Sequence, residues 1–118
     1  MSDQRKDTGQ LGEQLVARYL EERGYSIVVT NARVGRDEID IVARRNELLV
    51  FCEVRTRQRP SFVDPIATID RAKVQRTRRA AAGWLRENRV SAAQIRFDAA
   101  AVVLEGGNPQ ISYYEAAF

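Results

Sequence analysis

Three charged residues interrupt two strand-like runs between residues 38 and 55. The segment reads EIDIVARRNELLVFCEVR, and it places Asp40 in the first run and Glu53 and Arg55 in the second. Two carboxylates that are brought together on a sheet face repel each other and lose hydration, and a divalent cation between them removes that penalty. A metal held in this way can polarise a phosphate and help to deprotonate an attacking water, while a nearby cation offsets transition-state charge.

The two runs are predicted to form a hairpin, and its register decides whether the carboxylates meet. If Asn46 and Glu47 form the turn, Asp40 lies directly across from Glu53. Successive side chains of a strand point to opposite faces of the sheet, so each arm of the hairpin divides its residues between two faces. The first arm has Ile39, Ile41 and Ala43 on one face and Asp40 and Val42 on the other; the second has Val50, Cys52 and Val54 on one face and Leu49, Phe51, Glu53 and Arg55 opposite.

This register predicts a site for Mg²⁺ or Mn²⁺. Mg²⁺ prefers octahedral oxygen coordination by one or two carboxylates, retained waters and a phosphate oxygen. Asp40, Glu53 and the carbonyl of Val54 are the predicted protein ligands, Glu13 lends support from a helix, and Arg55 points to the same side. The alternative is that Asp40, Glu53 and Arg55 form an ordinary ion-pair cluster on a solvated sheet face.

Composition narrows the possible chemistry. The chain has 118 residues and a formal net charge of +3, which predicts one domain over residues 1–118, with about residues 1–8 flexible. It contains no histidine and one cysteine, Cys52, which excludes Cys/His zinc sites and Ser-His or Cys-His catalysis. The opening MSDQRKDTGQ lacks the apolar core of a signal peptide, and no apolar run is long enough for a membrane span, so a cytoplasmic location is predicted.

The remaining elements must position these charges. Helical periodicity predicts a helix from Thr8 to Gly24, in which Gly12 permits close packing and Glu13 lies at the edge of the buried stripe. The chain then continues as a strand in YSIVVTN, the loop ARVGRD, the hairpin, the loop RTRQRPSFVDP, a helix from about Ile69 to Asn88, and the strand-like segments IRFDAAAVVL and QISYYEAAF. Cys52 and Trp84 are predicted to be core residues. The fold class is a single α/β domain with a central mixed sheet flanked by helices.

Positive charge is concentrated on the second predicted helix. Between Asp70 and Arg89 there are seven basic and two acidic residues, a net charge of +5. A basic element of this kind suits a polyanion such as DNA. The predicted DNA contacts are Arg57, Arg59, Lys73, Arg76 and Arg79.

These motifs together resemble a known family. The order of a helix with a glutamate, then DEID, then EVR, then a basic helix is similar to the PD-(D/E)XK nuclease superfamily. GEQLVARYLEERGY, DEIDIVA, LLVFCEVRTR, KVQRTRRAAAGWL, RFDAAAV and the terminal AF resemble, more narrowly, the small bacterial YraN-type family of endonuclease-like proteins, which is similar to archaeal Holliday junction resolvases.

The resemblance implies a fold, a chemistry and a substrate. It implies an α-β-β-β-α-β core and a Mg²⁺-dependent nuclease site at Glu13, Asp40, Glu53 and Arg55. The substrate implied is branched or structured DNA, and a homodimer is expected because a four-way junction presents two symmetric cuts.

The chain departs from the family pattern at Arg55, where the resemblance expects a lysine. Lysine can lose its proton when it is buried, whereas arginine stays charged, so Arg55 can stabilise phosphate charge but is a poor general base. Lys73 is then the sole lysine in a predicted element. Three functions stay open: an endonuclease, a DNA-binding module that keeps the nuclease fold without cleavage, and an assembly protein whose basic helix meets an acidic partner.

Overall fold

The computed structural model describes residues 4–60 and 63–118. Its two α-helices and five strands follow the order predicted from the sequence, a helix, three strands, a helix and two strands, which extends the α-β-β-β-α-β core implied by the resemblance by one strand. In chain order they are α1 (Gln4–Glu22), β1 (Ser26–Val34), β2 (Asp37–Arg45), β3 (Leu48–Arg57), α2 (Arg71–Asn88), β4 (Gln94–Val103) and β5 (Gln110–Tyr114). Neither helix in this part of the chain is long and apolar enough to cross a membrane.

The five strands form one mixed sheet in the order β1-β2-β3-β4-β5. Three of the four neighbouring strand pairs are antiparallel, while β3 and β4 run parallel. Parallel neighbours need a crossover connection, and α2 supplies it. The predicted fold class, an α/β domain with a mixed sheet flanked by helices, is therefore confirmed.

Each helix covers one face of the sheet, so the core has two parts. Against α1, Val16 and Leu20 pack on the face that carries Val50 and Cys52. Against α2, the second cluster comprises Ala32, Ile39, Val42, Leu49, Phe51, Ala80, Ala81 and Trp84. The predictions of Cys52 and Trp84 as core residues are confirmed, because both side chains are buried in these clusters.

The ends of the helices follow from their sequences. Gly24 adopts a positive φ of 88°, as expected for a residue that ends a helix. The helix α2 begins at Arg71 because the side chain of Asp70 accepts a hydrogen bond from the Lys73 amide. The helix α1 begins at Gln4, whereas the sequence predicted a start at Thr8. The segment predicted to be flexible, about residues 1–8, therefore overlaps the first turn of α1. Residues 1–3 lie outside the described part.

Gly12 brings α1 close to β3, as its place in the buried stripe predicts. A Cβ atom added at Gly12 would overlap the hydroxyl group of Thr56. The absence of a side chain therefore sets how near α1 lies to the end of β3, and Glu13 follows directly on that helix.

The hairpin has the predicted register. Arg45 pairs with Leu48 around a turn of Asn46 and Glu47, and the pairing continues to Ile41 and Cys52. Asn46 has the positive φ, 55°, that such a turn requires. The pairing ends one residue before the predicted Asp40–Glu53 pair, but the two carboxylates lie close enough to interact electrostatically.

Two local predictions are wrong. The loop predicted over residues 32–37 is mostly strand, since β1 runs to Val34 and only Gly35 and Arg36 form the turn to β2. Ile39 packs in the α2-side cluster with Val42, whereas Ile41 packs on the α1 side. Strict alternation fails at Asp40, because β2 parts from β3 there while it keeps its pairing with β1.

Candidate metal and phosphate site

The site lies where β2 and β3 part. Beyond the Ile41–Cys52 pair, β2 continues along β1, where Ile39 pairs with Ala32, and β3 continues along β4, where Glu53 pairs with Ala99. Asp40 stands at the fork, and its Oδ2 accepts a hydrogen bond of 2.8 Å from the backbone amide of Val54. The carboxylate of Asp40 is thereby fixed against the neighbouring strand.

A cavity of about 420 Å³ opens at this fork, and we call it the central cavity. Its walls come from α1, the turn between β1 and β2, both forked strands and the first two turns of α2. The lining residues are Glu13, Arg36, Asp37, Glu38, Asp40, Glu53, Val54, Arg55, Lys73, Arg76 and Thr77. All four residues predicted as catalytic meet here.

Asp40 is poised to change its charge near neutral pH. Burial and, second, the neighbouring charge of Glu53 together raise the pKa of its carboxyl group from the usual 3.8 to about 7, and the hydrogen bond from Val54 opposes that rise. Desolvation disfavours the charged form of an acid, and a second negative charge acts in the same direction. The predicted repulsion between Asp40 and Glu53 is thus a property of the folded chain.

Glu53 is the most buried of the site carboxylates, with 3% of its surface exposed. One oxygen, Oε1, contacts two cations: Arg55 Nη1 at 3.0 Å and Lys73 Nζ at 3.3 Å. Arg55 lies two residues along β3 and therefore shares the face of Glu53, as predicted. Lys73 comes from α2, on the crossover to β4. A buried carboxylate is costly unless it is paired, and these two contacts provide the pairing.

Glu13, on α1, extends toward the fork, and one of its two carboxylate oxygens has no hydrogen-bond partner among the described residues. Burial raises the pKa of its carboxyl group, and a hydrogen bond with Asn31 opposes that rise. Its Oε2 is buried and has no hydrogen-bond partner among the described residues. Asn31 has a positive φ of 54° within β1, a conformation that asparagine tolerates better than most residues. Asn31 is therefore a site residue that strand periodicity did not reveal.

Within the described ranges, two further residues that line the cavity also have a buried polar atom without a hydrogen-bond partner. Arg55 Nε and Thr77 Oγ1 have no hydrogen-bond partner in the described part of the chain. Most buried polar atoms in folded proteins have hydrogen-bond partners. Unpaired donors and acceptors on residues that line one cavity therefore indicate a binding site for polar ligands. Thr77 was not predicted, because a buried threonine in a helix carries no signal in sequence.

The donors suit a hard divalent cation. The carboxylates are held close enough to perturb each other, and they offer the oxygen ligands that Mg²⁺ and Mn²⁺ prefer. No cluster of three or more acidic, cysteine or histidine side chains able to hold a metal occurs in residues 4–60 and 63–118. A cation here would accordingly take two carboxylates and complete its shell with water and ligand oxygens, as Mg²⁺ commonly does.

The residues predicted to contact DNA do not form one uniform surface. Arg76 is exposed on the rim of the central cavity, and Lys73 is inside it, on Glu53. Arg79 is exposed but pairs with Asp37 through two hydrogen bonds of 3.1 and 3.3 Å, linking α2 to β2.

The other two predicted contacts lie at and beyond the end of β3. Arg57, half-buried, ends that strand, and the exposed Arg59 lines a separate cavity with Leu104 and Gly106. Arg36 is a cavity residue that the sequence did not single out, because it lies in the turn after β1.

Asp98, on β4, has a structural role. It is fully buried and accepts hydrogen bonds from Arg96, from the Tyr113 hydroxyl group at 2.6 Å and from the Ala116 amide at 2.9 Å. These bonds tie β4 to β5 and to the segment after it. A carboxylate whose lone pairs are so fully used is a structural anchor rather than a free ligand.

Fold and site together define a class: an α/β domain with a mixed five-stranded sheet and an acidic pair at a strand fork, facing a basic helix. The chain belongs to UPF0102, described as an uncharacterised protein family, whose model matches residues 12–102. This membership confirms the resemblance to the YraN-type family.

Curated relatives span nearly the whole chain. A UPF0102 protein of Alkaliphilus metalliredigens is 35% identical over 113 residues, covering 96% of this chain and 98% of that protein. UPF0102 proteins of Anaeromyxobacter dehalogenans and Bacteroides thetaiotaomicron are 39% and 38% identical, covering 98% and 95% of this chain and 87% and 92% of their own lengths.

Among solved structures, the chain is similar to Pyrococcus furiosus SfsA in complex with Ca²⁺. The sequence identity is 17% and the TM-score is 0.33. The match covers 94% of this chain but only 63% of that protein, which is less than two thirds of its length.

Proposed function

We propose that this chain is a metal-dependent endonuclease that hydrolyses phosphodiester bonds in branched or structured DNA. The observation that carries the proposal is the pair of buried carboxylates, Asp40 and Glu53, held together at the fork and faced by Lys73, Arg55 and Arg76. Acidic groups that bind a cation, beside basic groups that bind an anion, are what phosphodiester hydrolysis requires.

Asp40 and Glu53 would hold Mg²⁺ or Mn²⁺, and a contribution from the Val54 carbonyl stays a prediction. When bound, such a cation supplies Lewis-acid polarisation of the phosphate and a more acidic water. The side chains and backbone of the chain itself orient the metal ligands and bind the phosphate. The Val54 amide orients Asp40, Arg55 holds Glu53, and Arg76 on the rim offers a positive charge to the phosphate. Glu13, with its unpaired Oε2, is positioned to accept a hydrogen bond from a water or a hydroxyl group.

The preference for branched DNA rests on the family resemblance. The net charge of +5 between Asp70 and Arg89 supports DNA as the partner, because phosphate neutralisation supplies most sequence-independent affinity. The family resemblance also supports a homodimer, which would present two sites to a four-way junction.

One observation favours a second candidate, a DNA-binding module without cleavage. Glu53 Oε1 is already engaged by Arg55 and Lys73, and Arg55 stands where the family resemblance expects a lysine. A site whose acidic ligand is neutralised from within can bind phosphates without turning them over. Metal-dependent cleavage separates the two functions.

The test is cleavage of labelled DNA with Mg²⁺ or Mn²⁺. A four-way junction, a flap, single-stranded DNA and linear duplex are compared at high protein concentration. Product that requires metal, is greatest on the junction and disappears in Asp40→Asn supports the endonuclease. DNA binding without product on every substrate supports the binding module.

Arg55 variants refine the result. If Arg55 supplies fixed charge to the phosphate, Arg55→Lys keeps or raises the cleavage rate, and Arg55→Ala lowers it by roughly 100-fold or more, the scale for losing one charge-stabilising donor. An inactive wild type with an active Arg55→Lys variant would show that this one substitution silences competent carboxylates.

A further inference from the structure

The ammonium group of Lys73 directly contacts one of the two carboxylates proposed to bind the metal. Lys73 Nζ is 3.3 Å from Glu53 Oε1. Burial and Glu53 raise the pKa of Asp40, whereas the charge of Lys73 lowers it, so the ammonium group acts on both carboxylates of the pair. A single positive charge from α2 thus contacts Glu53 directly and also acts on Asp40, the two groups to which the proposed function assigns the metal.

Arg55 also contacts Glu53 Oε1, but the two cations are held differently. Arg55 and Glu53 are neighbours on one face of β3, so the strand itself keeps them together. Lys73 reaches in from another element on a flexible four-carbon stem. Its backbone is fixed at the start of α2 by the 2.8 Å hydrogen bond from its amide to Asp70, while its side chain is 24% exposed and can move away from Glu53 within the cavity.

We infer that Lys73 occupies the cation position beside Glu53 and Asp40 when no metal is bound, and that a divalent cation displaces its ammonium group from Glu53 to another position within the central cavity. The inference rests on the proposed function, because it concerns the same carboxylates. It gives Lys73 two successive roles: a counter-ion of Glu53 before the metal binds, and then a positive charge elsewhere in the cavity that Arg76 also lines. Metal loading and phosphate binding are coupled in this way through one side chain.

The displacement makes metal binding weaker than the carboxylates alone would allow. An ammonium group competes with the incoming cation for Glu53 Oε1, and the two like charges repel each other at short range. Lys73→Met keeps the length of the side chain and removes the charge. We expect Lys73→Met to bind Mn²⁺ about tenfold more tightly than the wild type, since one unit charge at this distance contributes energies of that order or larger.

Arg76→Met is the matched control. Arg76 is on the same helix, faces the same cavity and carries the same charge, but its position is on the exposed rim. Removing it tests the general effect of lowering the positive charge near the site. Its Mn²⁺ affinity should change by about twofold or less, because the solvent screens exposed charges.

Calorimetric titration of the metal-free chain with Mn²⁺ measures all of these variants, with Asp40→Asn as the ligand knockout. Tighter binding in Lys73→Met alone supports the inference. Unchanged or weaker binding in Lys73→Met, or an equal gain in Arg76→Met, overturns the displacement but leaves the proposed metal site intact if Asp40→Asn weakens binding. No Mn²⁺ binding in any variant overturns both the inference and the metal site.

A second measurement uses the wild-type chain and does not depend on how a variant folds. The sequence contains only two lysines, Lys6 and Lys73, so reductive ¹³C-methylation gives two lysine signals plus that of the amino terminus. Titration with diamagnetic Mg²⁺ should shift the Lys73 signal toward that of a solvated lysine and leave the Lys6 signal in place. A Lys73 signal that does not move at saturating Mg²⁺ overturns the displacement.

Discussion

Replacing the Asp40 carboxylate should make the chain more stable at alkaline pH. Asp40→Asn keeps a side-chain oxygen that can accept the hydrogen bond of the Val54 amide, while it removes a buried charge next to Glu53. The folded chain holds the proton of Asp40 up to a pKa of about 7, whereas the usual pKa is 3.8. The unfolded chain releases that proton first, so the wild type loses stability as the pH rises from about 4 to about 7.

The size of the effect follows from the same shift. Each pKa unit corresponds to about 1.4 kcal/mol, and raising the pH from 5 to 8.5 crosses roughly two of the three units of the shift. The free energy of unfolding of Asp40→Asn relative to the wild type should therefore rise by on the order of 3 kcal/mol over this interval. A gain of that size raises the melting temperature by roughly 10 °C for a domain of this length.

Urea unfolding followed by circular dichroism at pH 5.0, 6.5 and 8.5 measures the difference. The buffers contain a chelator, because a bound metal would stabilise the wild type alone. Asp64→Asn is the control variant: Asp64 is exposed and accepts one local backbone hydrogen bond, from the Ile66 amide, as Asp40 accepts one from Val54. A relative stability of Asp40→Asn that is the same at pH 5.0 and pH 8.5, or that falls with pH, would refute the argument that Asp40 is buried against a second negative charge.

Three further predictions concern packing, anchoring and DNA binding. Gly12→Ala should lower the free energy of unfolding by about 1–3 kcal/mol, since its methyl group overlaps the Thr56 hydroxyl group, and denaturant unfolding measures it. Asp98→Ala should destabilise the chain by about 3–5 kcal/mol, since it leaves the guanidinium group of Arg96 without its carboxylate partner. A melting temperature close to that of the wild type would contradict the structural role of Asp98. Arg76→Ala should weaken binding to all DNA sequences and flatten the salt dependence by about one unit, whereas Arg86→Ala, on the last turn of the same helix, should change neither in a fluorescence anisotropy titration.

The part of the site on the hairpin could be predicted from sequence because its geometry is local. Period-two alternation and a two-residue turn fix which residues of two adjacent strands face each other, so Asp40 and Glu53 follow from counting. Lys73 is different: it reaches Glu53 only because α2 crosses over the sheet between two parallel strands, and the crossover geometry is a tertiary property. The sequence shows the positive charge of Lys73, but it does not show that this charge contacts Glu53.

The face of Ile39, which was predicted wrongly, and the role of Asn31, which was not predicted, have a common origin in the fork. Alternation assumes that a strand keeps the same neighbours along its length, and β2 changes its surroundings at Asp40. Ile39 consequently packs on the face opposite to the one predicted, and Asn31, in a left-handed conformation in the adjacent strand, turns out to hold Glu13. Sequence periodicity describes regular sheets well and fails where a sheet opens, which is where this chain assembles its polar groups.

The hydrogen bond from the Val54 amide to Asp40 makes that amide a spectroscopic indicator. Hydrogen bonds to a charged acceptor are roughly twice as strong as those to a neutral one, so the resonance of the Val54 amide depends on the charge of the carboxylate that it contacts. In a ¹⁵N-labelled sample this single peak should titrate with Asp40 near pH 7 and should shift again when a cation binds. The chain carries an intrinsic reporter at the fork, which can be read without a substrate, a dye or a substitution.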